Sequence, residues 1–500
     1  MKRSEQSAEA VVAEPKPARV GTPDEAGSLW RGEGPNDRED ATTASLEAGA
    51  RQKPTSVGRP PTAGVKPRTN GDRGEPAMAA SGPGRPGTTH LMEEVVERAN
   101  LTAALKRVKQ NRGGPGIDGM KVEDLPAYLR EVWPRVREQL LAGTYQPSAV
   151  RRTQIPKNTG GMRELGIPTV VDRFIQQAIL QVLQPRFDPT FSEHSHGFRP
   201  GRRAHDAIVA AQRYVQEGRR WVVDLDLERF FDRVNHDVLM ERLSRRIADK
   251  RLLLVIRRYL EAGIMADGVV TERHEGTPQG GPLSPLLANV LLDEVDRELE
   301  RRGHAFVRYA DDCNVYVRSR RAGERVMAAL RRMYAALRLR VNEAKSAVAL
   351  AVTRKILGYR FWWQGRAVKR AVAPTAIAAM KARVRELTNR NRGAALPSVV
   401  ADLASYLRGW KQYFHLADTP KIFATLEGWI RRRLRMLRLK QWKRGSTAWA
   451  ALTAMGVTGG ARRHAARGCR SWWHTAASPG MQFAMPDAVF DELGLPRLRR

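Results

Sequence analysis

Two strand-like apolar segments of this chain are interrupted by acids: WVVDLDLERFFDRVNHD (221–237) and AFVRYADDCNVYV (305–317). Few folds tolerate both, because a carboxylate in such a run is costly unless it is paired or binds a cation. In the second segment Asp311-Asp312 falls between two short runs rich in Val and Tyr, where a tight two-residue turn would set both carboxylates at a hairpin tip. In the first, Asp224 and Asp226 stand two apart and so share one strand face. If Asp226 ends its strand beside the tip, three carboxylates converge. Such a set suits two Mg²⁺ ions, one activating a hydroxyl and one bridging a triphosphate. Two adjacent Asp residues in a turn are ordinary; it is the pair of acidic islands that carries the reading.

Charge narrows the partner. The 500 residues hold 86 Lys plus Arg against 53 Asp plus Glu, a net +33. Residues 1–90 carry 13 basic and 12 acidic side chains, so nearly all the excess lies beyond them. A field of that sign suits a polyanion, nucleic acid before an anionic membrane. Codon bias would explain Arg over Lys, but not the deficit of acids. The two cysteines, Cys313 and Cys469, form neither a disulfide framework nor a C-x-x-C zinc pair. No run of eighteen apolar residues and no signal peptide is present, so the expectation is a soluble cytoplasmic protein with no membrane partner.

Residues 1–88 are rich in Gly, Pro, Ala and charge, with Trp30 as the single aromatic, and read as a disordered tail; Met78 and Met92 offer alternative starts. Helical spacing begins near Leu91 and runs through Val95, Val96, Leu101, Leu105 and Val108 to Gly113 and Gly114. Strands are expected at 221–227, 305–308 and 314–318. A helix capped by Ser284, with Pro285 first inside it, should end before Gly303, and Thr419-Pro420 should open another. From about Pro374 the pattern is all-helical.

YADD (309–312) resembles the Y-x-D-D box of reverse transcriptases, and the order of the blocks around it resembles the group II intron reverse transcriptase/maturase family. Those blocks are IPKNTGGMRELGIPTVVDRFIQQAIL (155–180), HSHGFRPGRRAHDAI (194–208), VVDLDLERFFDRVNHD (222–237), GTPQGGPLSPLLANVLLDEVD (276–296), RVNEAKS (340–346) and ILGYRF (356–361). The resemblance spans roughly 90–445. It implies an α+β right hand: fingers and palm over 89–373, with a small antiparallel sheet backed by helices, then a helical RNA-binding thumb, or maturase, domain over 374–445. A small basic DNA-binding appendage is expected over 446–500, where the cysteine pairs of the family's H-N-H endonuclease are lacking.

The resemblance also implies roles. Asp226, Asp311 and Asp312 would be the catalytic metal ligands, with a main-chain carbonyl of Leu225 or, as taken here, Leu227 completing the shell. Asp226 rather than Asp224 is chosen because the family's catalytic acid precedes by five residues the aromatic under the incoming sugar, here Phe231. Lys157 and Arg163 match the cations on the triphosphate, Gln279-Gly280 the turn against the nucleotide, and Lys345, with Asn342, a supporting box behind the site. Arg199, Arg202 and Arg203 are expected on the template backbone. Arg431, Arg432, Arg435 and Arg438 are expected on RNA, because 428–445 holds no acid to pair with them. The implied partners are group II intron RNA, target DNA and deoxynucleoside triphosphates, and a homodimer is allowed. The expected setting is a bacterial cytoplasm, on the nucleoid or in a ribonucleoprotein. The expected activity is RNA-directed DNA synthesis with help to splicing. Its rivals are a related polymerase recruited to a retron, CRISPR-linked or diversity-generating task, and a splicing factor with a dead polymerase.

Overall fold

The computed structural model describes residues 88–156, 162–266, 269–271, 275–468 and 471–499. Lys157, Cys469 and the tail, Thr88 excepted, lie outside them, and nothing of the Arg163 side chain is described.

Helices α1 (Leu91–Val95), α2 (Arg98–Asn111) and α3 (Leu125–Leu141) open the chain. The helix expected to run unbroken from Leu91 is interrupted at Val96–Glu97, and α2 stops on Arg112, which takes the left-handed φ (46°) ahead of the expected glycines. Strands β1 (Val150–Pro156) and β2 (Met162–Ile167) form an antiparallel hairpin with Ile155 opposite Arg163. Next comes α4 (Val170–Phe187), the axis of the fingers, buried on nearly every side. Its Thr169 cap and Asp172 bond reciprocally, and Asp172 also accepts from Tyr145 (2.9 Å).

The palm is built from α5 (Ala204–Gln216), β3 (Trp221–Leu225), α6 (His236–Ser244) and α7 (Lys250–Glu261). After the short strands β4 (Ile264–Ala266) and β5 (Val269–Thr271), which extend the finger sheet, come α8 (Ser284–Arg301), β6 (Ala305–Tyr309), β7 (Asp312–Val317), α9 (Arg320–Ala336) and β8 (Ala347–Leu350). The palm sheet has the order β6-β7-β3-β8, with every pairing antiparallel. Both its faces are covered. Val223, Leu225, Phe306 and Val315 join a core with the fingers; Val222, Val307 and Tyr316 join a second core with α5 and the C-terminal helices. A sheet buried on both faces reads as continuous apolar runs rather than as alternation. That is why acids inside these strands stand out.

Ser284 is not the cap of α8. Leu283 holds that position, and the Ser284 hydroxyl, already inside the helix, donates to the Pro278 carbonyl (2.8 Å), tying the helix to the turn before it. A third sheet, β9 (Lys355–Ile356), β10 (Tyr359–Gln364) and β11 (Ala367–Val372), leads into α10 (Pro374–Leu387), α11 (Leu396–Tyr413) and α12 (Pro420–Trp442). The last segment carries α13 (Gly445–Ala454), α14 (Gly459–Arg467), α15 (Trp472–Thr475), α16 (Pro479–Ala484) and α17 (Asp487–Glu492). It is not an appendage. Leu452, Met481, Phe490 and Leu498 share the core of α12, and Glu427 accepts from the backbone N–H groups of Leu498 and Arg499. The architecture is α+β, a mixed sheet-and-helix body followed by helices.

Candidate active site

The β6–β7 hairpin turns on two residues, Ala310 and Asp311, which close the Tyr309–Asp312 pair. The expected register is off by one: Asp312 already begins β7. The reason is local, for Ala310 takes a left-handed φ of 58°, as such turns require. A buried cation holds that conformation. The Arg308 guanidinium, wholly buried, donates to the Ala310 carbonyl (2.8 Å), to Asn289 (2.9 Å) and to both Asp296 oxygens. Asp296 and Asn289 stand seven apart on α8, hence on one face. This network went unread in the sequence, although an Arg inside FVRYA is the same signal as an Asp inside VVDLD.

β3 ends at Leu225, two residues earlier than expected, and Leu227 pairs only by a single bridge to Val341. Asp226 hands its backbone to the 340–346 segment. Its carbonyl accepts from the Asn342 N–H (2.8 Å), and its N–H donates to the Ser346 hydroxyl (3.0 Å). Alternation along an extended chain turns the Leu227 carbonyl to the opposite edge, away from that segment. The two acids of this block differ in surroundings. Asp224 accepts from Asn314 (2.8 Å) and Arg354 (2.7 Å), while the Lys345 ammonium stands 3.4 Å from both oxygens of Asp226.

Enclosure by protein and the negative charges of Asp311, Asp226 and Asp224 push the Asp312 carboxyl up to about 7, with Lys345 acting against them. Asp312 itself is exposed at the start of β7. Among the described residues no three His, Cys, Asp or Glu side chains are already gathered around a metal position. The donors are all oxygen and mutually repelling, and that suits a hard divalent cation better than any other occupant.

Phe230 is buried and Phe231 only partly so, their rings 5.1 Å apart. The Phe231 carbonyl accepts from the Thr277 N–H (2.6 Å), which docks the Gly276–Gly281 turn beneath it. Within that turn the Gln279 carbonyl accepts from the Gly166 N–H (2.9 Å). Gly280 has φ 135°, and a Cβ there would stand 2.8 Å from the Gly166 carbonyl oxygen, so only glycine lets the turn lie on β2. The turn therefore joins fingers to palm.

Several expected nucleic-acid contacts are corrected. Arg199 is buried, held by Asp188 (2.9 Å) and the carbonyls of Ser192, Ser195 and Asp188. Arg202 pairs with Glu193, whereas Arg203 is exposed at the start of α5. Arg431 and Arg435 are buried too. Arg431 meets Glu427 (3.3 Å), Asp487 (3.2 Å) and Asp491 (3.4 Å); Arg435 meets Asp487 (3.5 Å) and the Met485 carbonyl (2.9 Å). The acids missing from 428–445 are supplied from α17, about sixty residues on. Arg432 covers the Trp473 ring at 4.1 Å, and Arg438 turns to Gln441 (3.4 Å) and Trp442.

Further cations without carboxylates gather around two tryptophans. Lys381, Arg385 and Arg433 surround the Trp429 ring at 5.5–5.8 Å, and Arg390 and Lys440 flank Trp472 at 5.0 and 5.6 Å. Among the described residues none of these five forms an ion pair. Burial and the like charges of Arg385 and Arg390 pull the Arg433 pKa down. Their signal in the sequence was weak, since α10 carries an acid as well as bases.

A palm sheet with carboxylates at a hairpin tip, between fingers and a helical thumb, defines a class, and the comparisons agree. Residues 155–361 match the family described as reverse transcriptase (RNA-dependent DNA polymerase), and residues 377–454 match the group II intron maturase-specific domain. Among similar proteins, Escherichia coli YkfC is 38% identical over 214 residues, 42% of this chain and 55% of its own. The group II intron-encoded protein LtrA of Lactococcus lactis is 36% identical over 195 residues, 39% of this chain and 32% of its own. A 91 kDa protein in the cob intron of Schizosaccharomyces pombe is 32% identical over 208 residues, 41% of this chain and 25% of its own. The chain thus spans from about half to a quarter of the length of these relatives. It belongs to the group II intron reverse transcriptase/maturase family.

Proposed function

We propose that this protein binds a group II intron RNA, assists its splicing, and copies RNA into DNA by two-metal nucleotidyl transfer. The observation that supports the reading is the palm register: Leu225 pairs with Cys313, so Asp226 stands one step beyond, alongside Asp312, whose carboxyl feels its charge. Asp226, Asp311, Asp312 and the Leu227 carbonyl would hold two Mg²⁺ ions. When bound, these ions supply the positive charge that makes a primer 3′-hydroxyl nucleophilic and neutralises a leaving pyrophosphate. Lys345, whose ammonium stands 3.4 Å from Asp226, would supply positive charge beside the triphosphate. Phe231, five residues after Asp226 and only partly buried, would exclude a 2′-hydroxyl. Asp224, tied to Arg354 and Asn314, shapes the 340–354 segment instead of binding metal.

RNA is held by the Trp429–Trp472 surface, formed by α10 and the segment after it, α12 and α15, where Lys381, Arg385, Arg390, Arg433 and Lys440 stand without carboxylates among the described residues, phosphate being the partner such cations suit. The match to a maturase-specific domain over 377–454 favours intron RNA over the recruited-polymerase alternatives. The test is a splicing assay beside a primer-extension assay. The Asp311→Ala/Asp312→Ala variant is expected to lose DNA synthesis and keep intron excision, because splicing chemistry belongs to the RNA. Loss of excision by a folded, RNA-bound double variant would sink the division of labour.

A further inference from the structure

We propose that Phe198 is a positioning residue for sugar discrimination: it fixes the ring of Phe231 and sets that ring against the carboxylate turn. The inference rests on Phe231 being the sugar selector. Its starting point is backbone strain. Phe198 has φ 60°, a left-handed conformation that a bulky side chain avoids and that persists only where its surroundings over-determine it.

Those surroundings belong to the catalytic hairpin. The 194–198 segment is joined to β6 by a parallel bridge at Ser195–Arg308: the His196 N–H donates to the Arg308 carbonyl, and the Arg308 N–H to the His194 carbonyl, both at 2.9 Å. Asn289, which also accepts from Arg308, donates to the Gly197 carbonyl (3.0 Å). Gly197 lies so near the turn that a Cβ on it would stand 2.1 Å from the Ala310 nitrogen. On the other side, Arg199 is clamped by Asp188 and by the Ser192 and Ser195 carbonyls. Phe198 is thus strung between two fixed points. One of them is the turn that carries Asp311.

Its ring does one visible thing. It meets Phe231 edge to face, centroids 6.2 Å apart at 64°, while buried Phe230 stands against the same Phe231 ring at 5.1 Å. Phe231 is held between a core ring and a loop ring, while its carbonyl is pinned by Thr277. Without Phe198 one wall is gone, and the Phe231 side chain gains rotamers that open the space a 2′-hydroxyl would need. The shared Arg308–Asn289 pair registers that wall to the metal turn, so ring and carboxylates keep a set separation.

The experiment measures kcat/KM for deoxy- and ribonucleotide incorporation on an RNA template, and the ratio between them. The variants are Phe198→Ala, Phe198→Gly, Phe198→Tyr, Phe231→Ala and Phe198→Ala/Phe231→Ala. Phe198→Ala should lower the ratio about tenfold, as removal of one aromatic neighbour allows. Phe198→Gly should do the same while relieving the backbone strain, so the effect follows the ring and not stability. Phe198→Tyr should restore the ratio, and the double variant should match Phe231→Ala, there being no ring left to position. A wild-type ratio in Phe198→Gly beside a low one in Phe231→Ala would overturn the proposal and spare the sugar-selector reading. So would additive effects in the double variant. A wild-type ratio in Phe231→Ala would overturn the sugar-selector reading itself.

Discussion

Asp224 and Asp226 are two residues apart, yet the fold treats them oppositely, and this yields a sharp test. Asp226→Ala or Asp311→Ala should abolish Mg²⁺-dependent primer extension by many orders of magnitude, since each removes an oxygen that the ions would share. Asp224→Asn should stay active, because an amide oxygen can still accept from Asn314 or Arg354. Extension assays across a Mg²⁺ titration distinguish the two, and a dead Asp224→Asn beside a live Asp226→Ala would invert the assignment. The buried ion pair behind the turn gives a prediction on stability. Asp296→Ala leaves Arg308 charged and unpaired with no exposure to water, and it should cost about 3–5 kcal/mol in denaturant unfolding. The acids were legible in the sequence because an ionisable group inside an apolar strand is conspicuous whatever surrounds it. Phe198 was not legible: its significance lies in a backbone angle and in a neighbour far along the chain.

At the scale of the element, α12 shows how a local reading of charge fails. Its arginines have no acid within helical reach after Glu427, a pattern that by itself suggests a phosphate-binding face. The structure turns two of them inward onto Asp487 and Asp491 from α17. Arg431→Ala and Arg435→Ala should therefore lower the thermal midpoint and leave the salt dependence of RNA affinity nearly unchanged. Replacing Lys381, Arg385, Arg433 and Lys440 with Ala should do the reverse, reducing the slope of log affinity against log salt by about one for each phosphate no longer neutralised. Filter binding across a salt series, with melting curves on the same variants, checks both halves. Equal slopes for the two sets would return the binding face to Arg431 and Arg435. The strands fared better, for the expected runs at 221–227, 305–308 and 314–318 each correspond to an observed strand with ends moved by one or two residues. The end of β3 moved because hydrogen bonds from Asp226 to the 340–346 segment prevail over continuation of the strand, whereas β6 and β7 gained residues at the turn because their ladder runs on to the Tyr309–Asp312 pair.

For the whole molecule, removal of 446–500 should abolish cooperative unfolding of the C-terminal half. That cut strips Phe490 and Leu498 from the second core and leaves Arg431 and Arg435 without the acids of α17. A stable, RNA-binding protein ending at 445 would refute the shared core. Removal of 1–87 should leave the salt slope of RNA binding intact, because those residues add almost nothing to the net charge. The sequence by itself determined the class of fold, the excess of positive charge and the two acidic islands inside apolar strands. Each of these follows from residue type in a local pattern: periodicity, net charge, an acid in an apolar run. Only the tertiary structure decided which arginines are interior, that Asp224 is tied to Asn314 and Arg354 while Asp226 has Lys345 beside it, and that a strained phenylalanine backs the Ala310–Asp311 turn. The reason is that an ion pair, a buried guanidinium or a left-handed φ is settled by groups tens of residues away, whose approach no local pattern encodes.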